Sequence, residues 1–204
     1  MTNEDVWIEG ARIALRDAQM QDLDVLAYWL QPEQQWQNLD GPFYEQPKPE
    51  EIARLLRERR ALVTSQQKPV PRKFLSIAAL DTNLMLGQVT CHEKQEVGNE
   101  LGLNIVIYNP DMWGYGLGYE SLGLWIEYLF GYGSGLMKLD LRTWSGNKGM
   151  VRLAQKLGFA EVARDRKSRL VNGRKYDGIA YTVARDTWQQ RFPRGFASSL
   201  MGEQ

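Results

Sequence analysis

The sequence contains one cysteine and one histidine among its 204 residues. Cys91 has no partner for an internal disulfide bond, and a metal site built from several histidines is excluded because His92 stands alone. Both residues lie in the segment 86–92, which has the composition of a strand. We therefore interpret Cys91 as a packed core thiol rather than a covalent nucleophile, and His92 as a sheet residue without a chemical role.

The chain also lacks an excess of either charge. Its 25 basic and 25 acidic side chains cancel, so there is no general attraction to nucleic acid or to an anionic membrane. No apolar run approaches the ~20 residues of a membrane-spanning helix. The start of the chain is polar and acidic, unlike a signal peptide. We expect a cytoplasmic protein with no nucleic-acid or membrane partner.

Length and composition are those of an ordinary globular protein. Hydrophobic residues make up 43% and charged residues 25% of the chain. We expect one domain over residues 1–204, with its core at about 7–188. The tail after Trp188 is polar and is predicted to be loose.

Hydrophobic periodicity predicts the element order β, α, α, β, β, β, α, β, α, β, β. The strands are predicted at 7–16, 74–80, 85–93, 101–108, 136–143, 159–170 and 175–184, and the helices at 19–30, 50–60, 119–130 and 148–157. This order predicts an α/β (α+β) fold, with a mixed, mostly antiparallel central sheet flanked by helices. One right-handed crossover joins strand 101–108 to strand 136–143, which is where we expect a ligand.

Three alternating glycines, Gly114, Gly116 and Gly118, stand between strand 101–108 and the next helix. Glycine lets the backbone approach a ligand closely, and the free N–H groups of a first helical turn attract a pyrophosphate. The dinucleotide pattern G-x-G-x-x-G does not fit, because Tyr119 or Ser121 would occupy its last glycine position, and a P-loop is absent. A glycine-rich turn without a ligand is the alternative.

The run 113–122 resembles the coenzyme A pyrophosphate loop of GNAT acetyltransferases, Q/R-x-x-G-x-G/A, with Trp113 in the first position. That replacement is similar to the RimJ/RimL-type branch. So are the segments 144–147 (Trp-Ser-Gly-Asn), 156–159 (Lys-Leu-Gly-Phe) and 13–16, and the closing hairpin at 176–177. The resemblance covers about residues 7 to 188. It implies a GNAT fold in which strand 101–108 splays away from strand 136–143.

The resemblance also implies a site for acetyl-CoA as co-substrate, with no metal. The pantetheine arm would contact the backbone of Ile107 and Tyr108, and Asn147 would reach it from the second helix. The loop would hold the pyrophosphate through Trp113, Gly114, Tyr115, Gly116, Leu117, Gly118 and Tyr119. The loop between the two early helices would border the acceptor through Trp36, Asp40, Phe43 and Tyr44.

The catalytic groups follow less directly from the resemblance. The positions of the usual tyrosine and serine acids fall on Ala154 and Met150, so the general acid stays open. A carboxylate or a water chain can take the proton of the amine. Glu100, at the head of the strand that leads to the loop, is the candidate base, and Asp40 is its rival.

The predicted function is an N-acetyltransferase that moves the acetyl group of acetyl-CoA to a primary amine, either a small molecule or a protein N-terminus. The amine attacks directly in a ternary complex, without an acyl-enzyme on Cys91. The expected partners are acetyl-CoA and the amine acceptor, with a homodimer left open. The alternative is a GNAT-fold sensor or interaction protein that binds acyl-CoA without turnover.

Overall fold

The computed structural model describes residues 5–43, 45–93, 100–132 and 135–202. Within these ranges the strands are β1 (Trp7–Glu9), β2 (Ile13–Arg16), β3 (Phe74–Ala79), β4 (Met85–Glu93), β5 (Glu100–Ile107), β6 (Lys138–Trp144), β7 (Ala160–Val171) and β8 (Arg174–Ala184). The α-helices are α1 (Asp22–Trp29), α2 (Pro49–Thr64), α3 (Leu117–Tyr132), α4 (Lys148–Leu157), α5 (Arg185–Arg191) and α6 (Phe196–Leu200). None of the helices in the described ranges has the length and apolar surface needed to cross a membrane.

All these strands join in a single sheet with the spatial order β1-β2-β3-β4-β5-β6-β8-β7. Neighbours run antiparallel except for β5 and β6, which are parallel. A parallel pair needs a crossover connection, and α3 supplies it. The predicted mixed, mostly antiparallel sheet is therefore confirmed, and the glycine loop leaves the sheet at the end of β5.

Side chains alternate between the two faces of the sheet. On one face, Leu75, Val89, Leu103 and Leu141 belong to the main core, which includes the fully buried Trp125 of α3. Residues of α4, α5 and α6 join the same core. On the other face, α1 and α2 pack on the sheet through a smaller cluster around Leu26, Met85 and Tyr108.

Residues 7–16, predicted as one strand, instead form a hairpin of β1 and β2. Gly10 N–H donates to Ile13 O (2.8 Å) and closes the turn. An ideal Cβ on Gly10 would lie 2.3 Å from the carboxylate of Glu120, so a side chain would not fit there. The prediction was wrong because this turn is built against a carboxylate from α3, 108 residues beyond Arg12 in the chain.

The tail after Trp188 was predicted to be loose, and that prediction was also wrong. Phe196 is fully buried and stacks on Trp188 with a ring-centroid distance of 5.6 Å. Gly123 of α3 leaves the space for this ring, because an ideal Cβ there would lie 2.1 Å from Phe196 Cζ. The Glu127 carboxylate accepts the N–H groups of Phe196 (2.5 Å) and Ala197 (3.2 Å). The tail therefore completes the core over α3.

Candidate active site

Strands β5 and β6 separate part of the way along their length. Their pairing ends at Leu103 and Leu141. Beyond that point β5 stays paired with β4 up to Ile107, and β6 stays paired with β8 up to Trp144. The resulting gap is four residues of β5 deep, about 13 Å at the usual rise of a strand. The splay that the resemblance implied is therefore present.

Peptide groups of β5 face this gap. In an antiparallel ladder, alternate residues direct their N–H and C=O groups to alternate sides. Tyr108 N–H donates to Leu86 O (3.0 Å) of β4, so the residues that face the opposite side are Ile105 and Ile107. The indole of Trp113 donates to Ile107 O (2.8 Å). The remaining peptide groups of these two isoleucines are directed into the gap.

Of the two residues expected to hold an acyl arm, Ile107 faces the gap, whereas the N–H of Tyr108 is turned toward β4. The ring of Tyr108 is buried on the α1–α2 side. It stacks on Trp29 (centroid distance 6.1 Å) and meets Trp36 edge-on (5.5 Å). The side chain of Tyr108 therefore packs on the face of the sheet that α1 and α2 cover.

The gap opens into a cleft of about 570 Å³. Three parts of the chain line it in addition to β5: the segment before α2, the glycine loop with the start of α3, and helix α4 with the residue before it. The lining residues are Trp36, Leu39, Asp40, Ile105, Val106, Ile107, Met112, Trp113, Gly114, Gly116, Leu117, Gly118, Tyr119, Asn147, Gly149, Met150, Arg152, Leu153 and Lys156. The cleft thus joins most of the residues predicted for the coenzyme and two of those predicted for the acceptor.

The glycine loop has the backbone that its sequence indicated. Gly114 (φ +86°) and Gly116 (φ +82°) lie in the left-handed region that side chains disfavour. An ideal Cβ on Gly114 would meet no atom within 4 Å, so the loop surface is open there. Helix α3 begins at Leu117, and the N–H groups of Tyr119 (3.0 Å) and Glu120 (3.1 Å) in its first turn donate to Gly116 O just before the helix. Tyr115 is 66% exposed and is not among the lining residues.

The turn of the β1–β2 hairpin contacts the glycine loop and the first turn of α3. Glu120 is 1% exposed, and its Oε1 accepts the backbone N–H groups of Arg12 (2.8 Å) and Ile13 (3.1 Å). Arg12 also donates its Nε to Glu120 Oε2 (3.4 Å) and its Nη1 to Tyr115 O. This contact could not be predicted from the sequence, because a glutamate in the first turn of a helix is common and gives no sign that it is buried against another element.

Asn147 caps α4 and joins it to the acceptor side. Its Oδ1 accepts Met150 N–H (3.0 Å), and its Nδ2 donates to Leu39 O (3.0 Å). The indole of Trp144 donates to the same Leu39 oxygen (3.0 Å). These bonds hold the segment next to Asp40 against the open end of the gap. Asn147 lines the cleft, but its side-chain oxygen and nitrogen both form hydrogen bonds within the protein.

The four residues predicted for the acceptor have different places. Trp36 and Asp40 line the cleft, and burial raises the pKa of the Asp40 carboxyl above its ordinary value. Phe43 packs edge-on against Trp144 (6.0 Å) with the guanidinium of Arg169 4.9 Å from its ring centre. Phe43 is not among the residues that line the cleft. Tyr44 lies outside the described residues.

Glu100, the predicted base, stands at the far end of β5 from the glycine loop. Its carboxylate is 3.7 Å from Lys138 Nζ, and it does not line the cleft. Of the two usual acid positions, Met150 lines the cleft without a hydroxyl, and Ala154 is fully buried. Burial raises the pKa of the Cys91 thiol to about 11, which favours its unreactive protonated form.

Two basic residues of the cleft were not predicted from the sequence. Arg152 and Lys156 are four residues apart on α4, and both line the cleft. Lys156 Nζ lies 4.1 Å from the ring centre of Tyr119 at the start of α3. The signal that would have found them is their spacing, which places two cations on one helix face toward the glycine loop.

Comparison with known proteins supports one family. The family model of the acetyltransferase (GNAT) domain matches residues 12–160. The SPbeta prophage-derived uncharacterized N-acetyltransferase YokL of Bacillus subtilis (strain 168) is 24% identical over 117 residues, which cover 57% of this chain and 65% of that protein. This chain therefore spans less than two thirds of the length of that relative.

Solved structures share the fold at low identity. Spermidine N-acetyltransferase from Vibrio cholerae, in complex with CoA and spermine, matches with a TM-score of 0.67 and 17% identity, over 86% of this chain and 97% of that one. The ribosomal-protein-S5-alanine acetyltransferase from Vibrio fischeri matches with a TM-score of 0.67 and 15% identity, over 90% and 99%. These likenesses show the GNAT fold. Because the family model spans most of the chain, from the β1–β2 turn to the start of β7, the protein belongs to the GNAT acetyltransferase family.

Proposed function

We propose that the protein is an N-acetyltransferase of the RimJ/RimL type, which transfers the acetyl group of acetyl-CoA to a primary amine by direct attack. The observation that carries the proposal is the gap between β5 and β6, which leads from the glycine loop into the sheet and has peptide groups of Ile105 and Ile107 along its edge. Two proteins with the same fold are named for amine acceptors, spermidine in one case and an alanine of ribosomal protein S5 in the other.

The coenzyme would bind along the open edge of β5. The loop amides around Gly116 and those of Leu117 and Gly118 at the start of α3 suit the pyrophosphate, and the cations Arg152 and Lys156 face it from α4. The peptide groups of Ile105 and Ile107 suit the amides of the acyl arm, which replaces the missing strand. An N–H on this edge can also polarise the thioester carbonyl as charge develops on its oxygen.

The acceptor would enter from the α1–α2 side. Asp40 provides a carboxylate and Trp36 an aromatic surface, a combination that attracts an ammonium group. Because burial raises the pKa of Asp40, this attraction is lost at a higher pH than for an exposed aspartate as the solution is acidified. Glu100 stays a prediction for the proton acceptor, and its distance from the cleft means that it would need a relay.

The test is release of free thiol from acetyl-CoA in the presence of a panel of amines, including polyamines and peptides with different first residues. Turnover with one class identifies the acceptor. Asp40→Asn should raise KM for that amine and leave acetyl-CoA affinity unchanged, whereas Asp24→Asn, an exposed change on α1, should change neither.

Binding of acetyl-CoA without turnover of any amine would favour the non-catalytic alternative. One observation keeps that alternative open: the usual acid positions hold Ala154 and Met150, and neither side chain can donate a proton. Failure to bind acetyl-CoA at all would contradict both functions.

A further inference from the structure

We propose that His92, the single histidine of the chain, accepts the proton that the acceptor amine releases, an inference that rests on the acetyl transfer proposed above. His92 is exposed on β4 and pairs with Gly102 of β5. Gly102 in turn pairs with Asp140 of β6, one row before β5 and β6 separate. The imidazole therefore belongs to the row of the sheet that adjoins the closed end of the gap.

The histidine ring lies over Gly102 rather than pointing away from the sheet. An ideal Cβ on Gly102 would be 2.3 Å from His92 Nε2 and 2.4 Å from its Cε1. The absence of a side chain at Gly102 thus creates the place that the imidazole fills. The ring therefore lies over β5, the strand whose edge the acyl arm would follow, rather than over its own strand.

The reacting carbon would come close to this ring. An arm that enters from the glycine loop and follows β5 reaches the closed end of the gap beside Asn104, the first residue beyond the last β5–β6 pair. Asn104 and Gly102 are neighbours on one face of the strand, about 6.6 Å apart along it. His92 Nδ1 already lies 3.4 Å from Asn104 Nδ2. Neither His92 nor Asn104 lines the cleft, whose innermost lining residue on β5 is Ile105, so the ring would take the proton of the amine through a chain of water molecules.

The neighbours of His92 can orient its proton. The Asn104 amide lies 3.4 Å from His92 Nδ1 and 3.4 Å from Thr90 Oγ1. The oxygen and nitrogen of an amide are assigned from their network, and the turned amide would present Oδ1 to Nδ1–H. That tautomer leaves the lone pair on Nε2, the nitrogen over Gly102. Asp140, in the same row on β6, adds a carboxylate to this part of the sheet.

The proposed step balances. The ammonium group of the acceptor gives one proton through water to His92 Nε2, and the freed lone pair forms the C–N bond to the thioester carbon. The C–S bond then breaks, and a second proton from the nitrogen joins the departing thiolate to give the free thiol. His92 returns its proton to solvent. The products are the amide, coenzyme A thiol and one proton.

Other charged groups lie on this face of the sheet. The group responsible for any pH dependence of the rate therefore has to be identified with variants, because the pH–rate profile by itself does not identify it. The ion pair of Glu100 and Lys138 lies two rows further from the gap, and Arg142 is the next residue after Asp140 on this face of β6. Arg59 of α2 stands over Phe74, with its guanidinium 3.5 Å from the ring centre. Asp40 lies toward the open end of the gap.

The first test uses NMR, because a single histidine gives a single set of imidazole signals. Addition of acetyl-CoA to the full chain should shift the His92 signals, and addition to Gly116→Asp should not. Calorimetry on the same samples separates two failures. Tight binding of acetyl-CoA with unmoved imidazole signals would overturn the role of His92 and leave the proposed function standing. Absence of binding would overturn the proposed function and the inference with it.

The second test uses rates with an accepted amine. His92→Gln should lower kcat/KM about 10²-fold, the lower range for loss of a general base, with acetyl-CoA affinity unchanged. Glu93→Gln is the matched control, since Glu93 is the next residue of β4 and pairs with Lys73 (3.0 Å). It should behave like the parent.

Gly102→Ala provides an independent check, because the new methyl group would displace the imidazole without removing it. It should reproduce the rate loss of His92→Gln while the protein stays folded and binds acetyl-CoA. Parental rates and pH profiles in both variants would overturn the inference. So would a rate loss that is matched by an equal loss of acetyl-CoA affinity, since that result assigns His92 a structural role.

Discussion

The contact between Glu120 and the β1–β2 turn makes a quantitative prediction about stability. Glu120→Ala removes a carboxylate that is 1% exposed and that accepts the N–H groups of Arg12 and Ile13 at 2.8 and 3.1 Å. The Ile13 bond is buried, and the Arg12 bond is partly buried. Both donors would lose their acceptor, and only the second could regain one from water.

The expected magnitude follows from these exposures. A buried N–H left without an acceptor costs about 1–3 kcal/mol, and the half-exposed donor costs less. The ion pair between Arg12 and Glu120 adds about 0–1 kcal/mol, because the Arg12 side chain is 53% exposed and solvent screens it. We expect Glu120→Ala to lower the free energy of unfolding by about 2–4 kcal/mol.

Glu120→Gln is the matched control, since it keeps the shape and an oxygen at the Oε1 position. Bonds from a neutral amide oxygen are roughly half as strong as those from a carboxylate, so we expect a loss of about 1 kcal/mol. Urea unfolding of the three proteins, with equal slopes, would measure the differences as shifts of the midpoint. An alanine variant within 0.5 kcal/mol of the parent, against our estimate of about 2–4 kcal/mol, would refute the reasoning.

Four further results are expected. Gly116→Asp would place a side chain and a negative charge at a left-handed position of the loop, so calorimetry should detect acetyl-CoA binding in the parent and little in a folded variant. Intact-mass analysis after incubation with acetyl-CoA should show no acetyl group on Cys91, and Cys91→Ala should retain turnover; loss of all turnover in the folded variant would contradict a direct mechanism. Glu100→Gln should keep the pH–rate profile of the parent if His92 is the proton acceptor, whereas a loss concentrated at low pH would restore Glu100 as the base. Burial opposes ionisation of Asp17, but the hydrogen bonds and charge interactions of this carboxylate with Arg72 and Lys68 outweigh burial and lower its pKa. Its contribution to stability should therefore be present above about pH 4 and be lost as the pH falls through the lowered pKa. Equal acid sensitivity of Asp17→Asn and the parent would contradict this prediction.

Much of the fold could be predicted from local patterns in the sequence. Helix α4 runs from Lys148 to Leu157, as its periodicity predicted, because Asn147 caps its start and Gly158 ends it in a left-handed conformation (φ +85°). The glycine loop could also be predicted, because alternating glycines before a helix indicate the positions at which the backbone needs a residue without a side chain. Such signals involve residues within a few positions of one another.

The sequence by itself determined the order of the elements from α1 to β8, the crossover after β5 and the loop that would receive the coenzyme, because each depends on short-range periodicity and on glycine. Only the tertiary structure decided that Phe196 completes the core, that Glu120 closes the first hairpin and that His92 lies over Gly102. Each of these contacts joins separate elements, and strand register and helix docking decide them. Hydrophobic patterning leaves such choices open, because many registers bury the same apolar faces while only one brings these particular polar groups together.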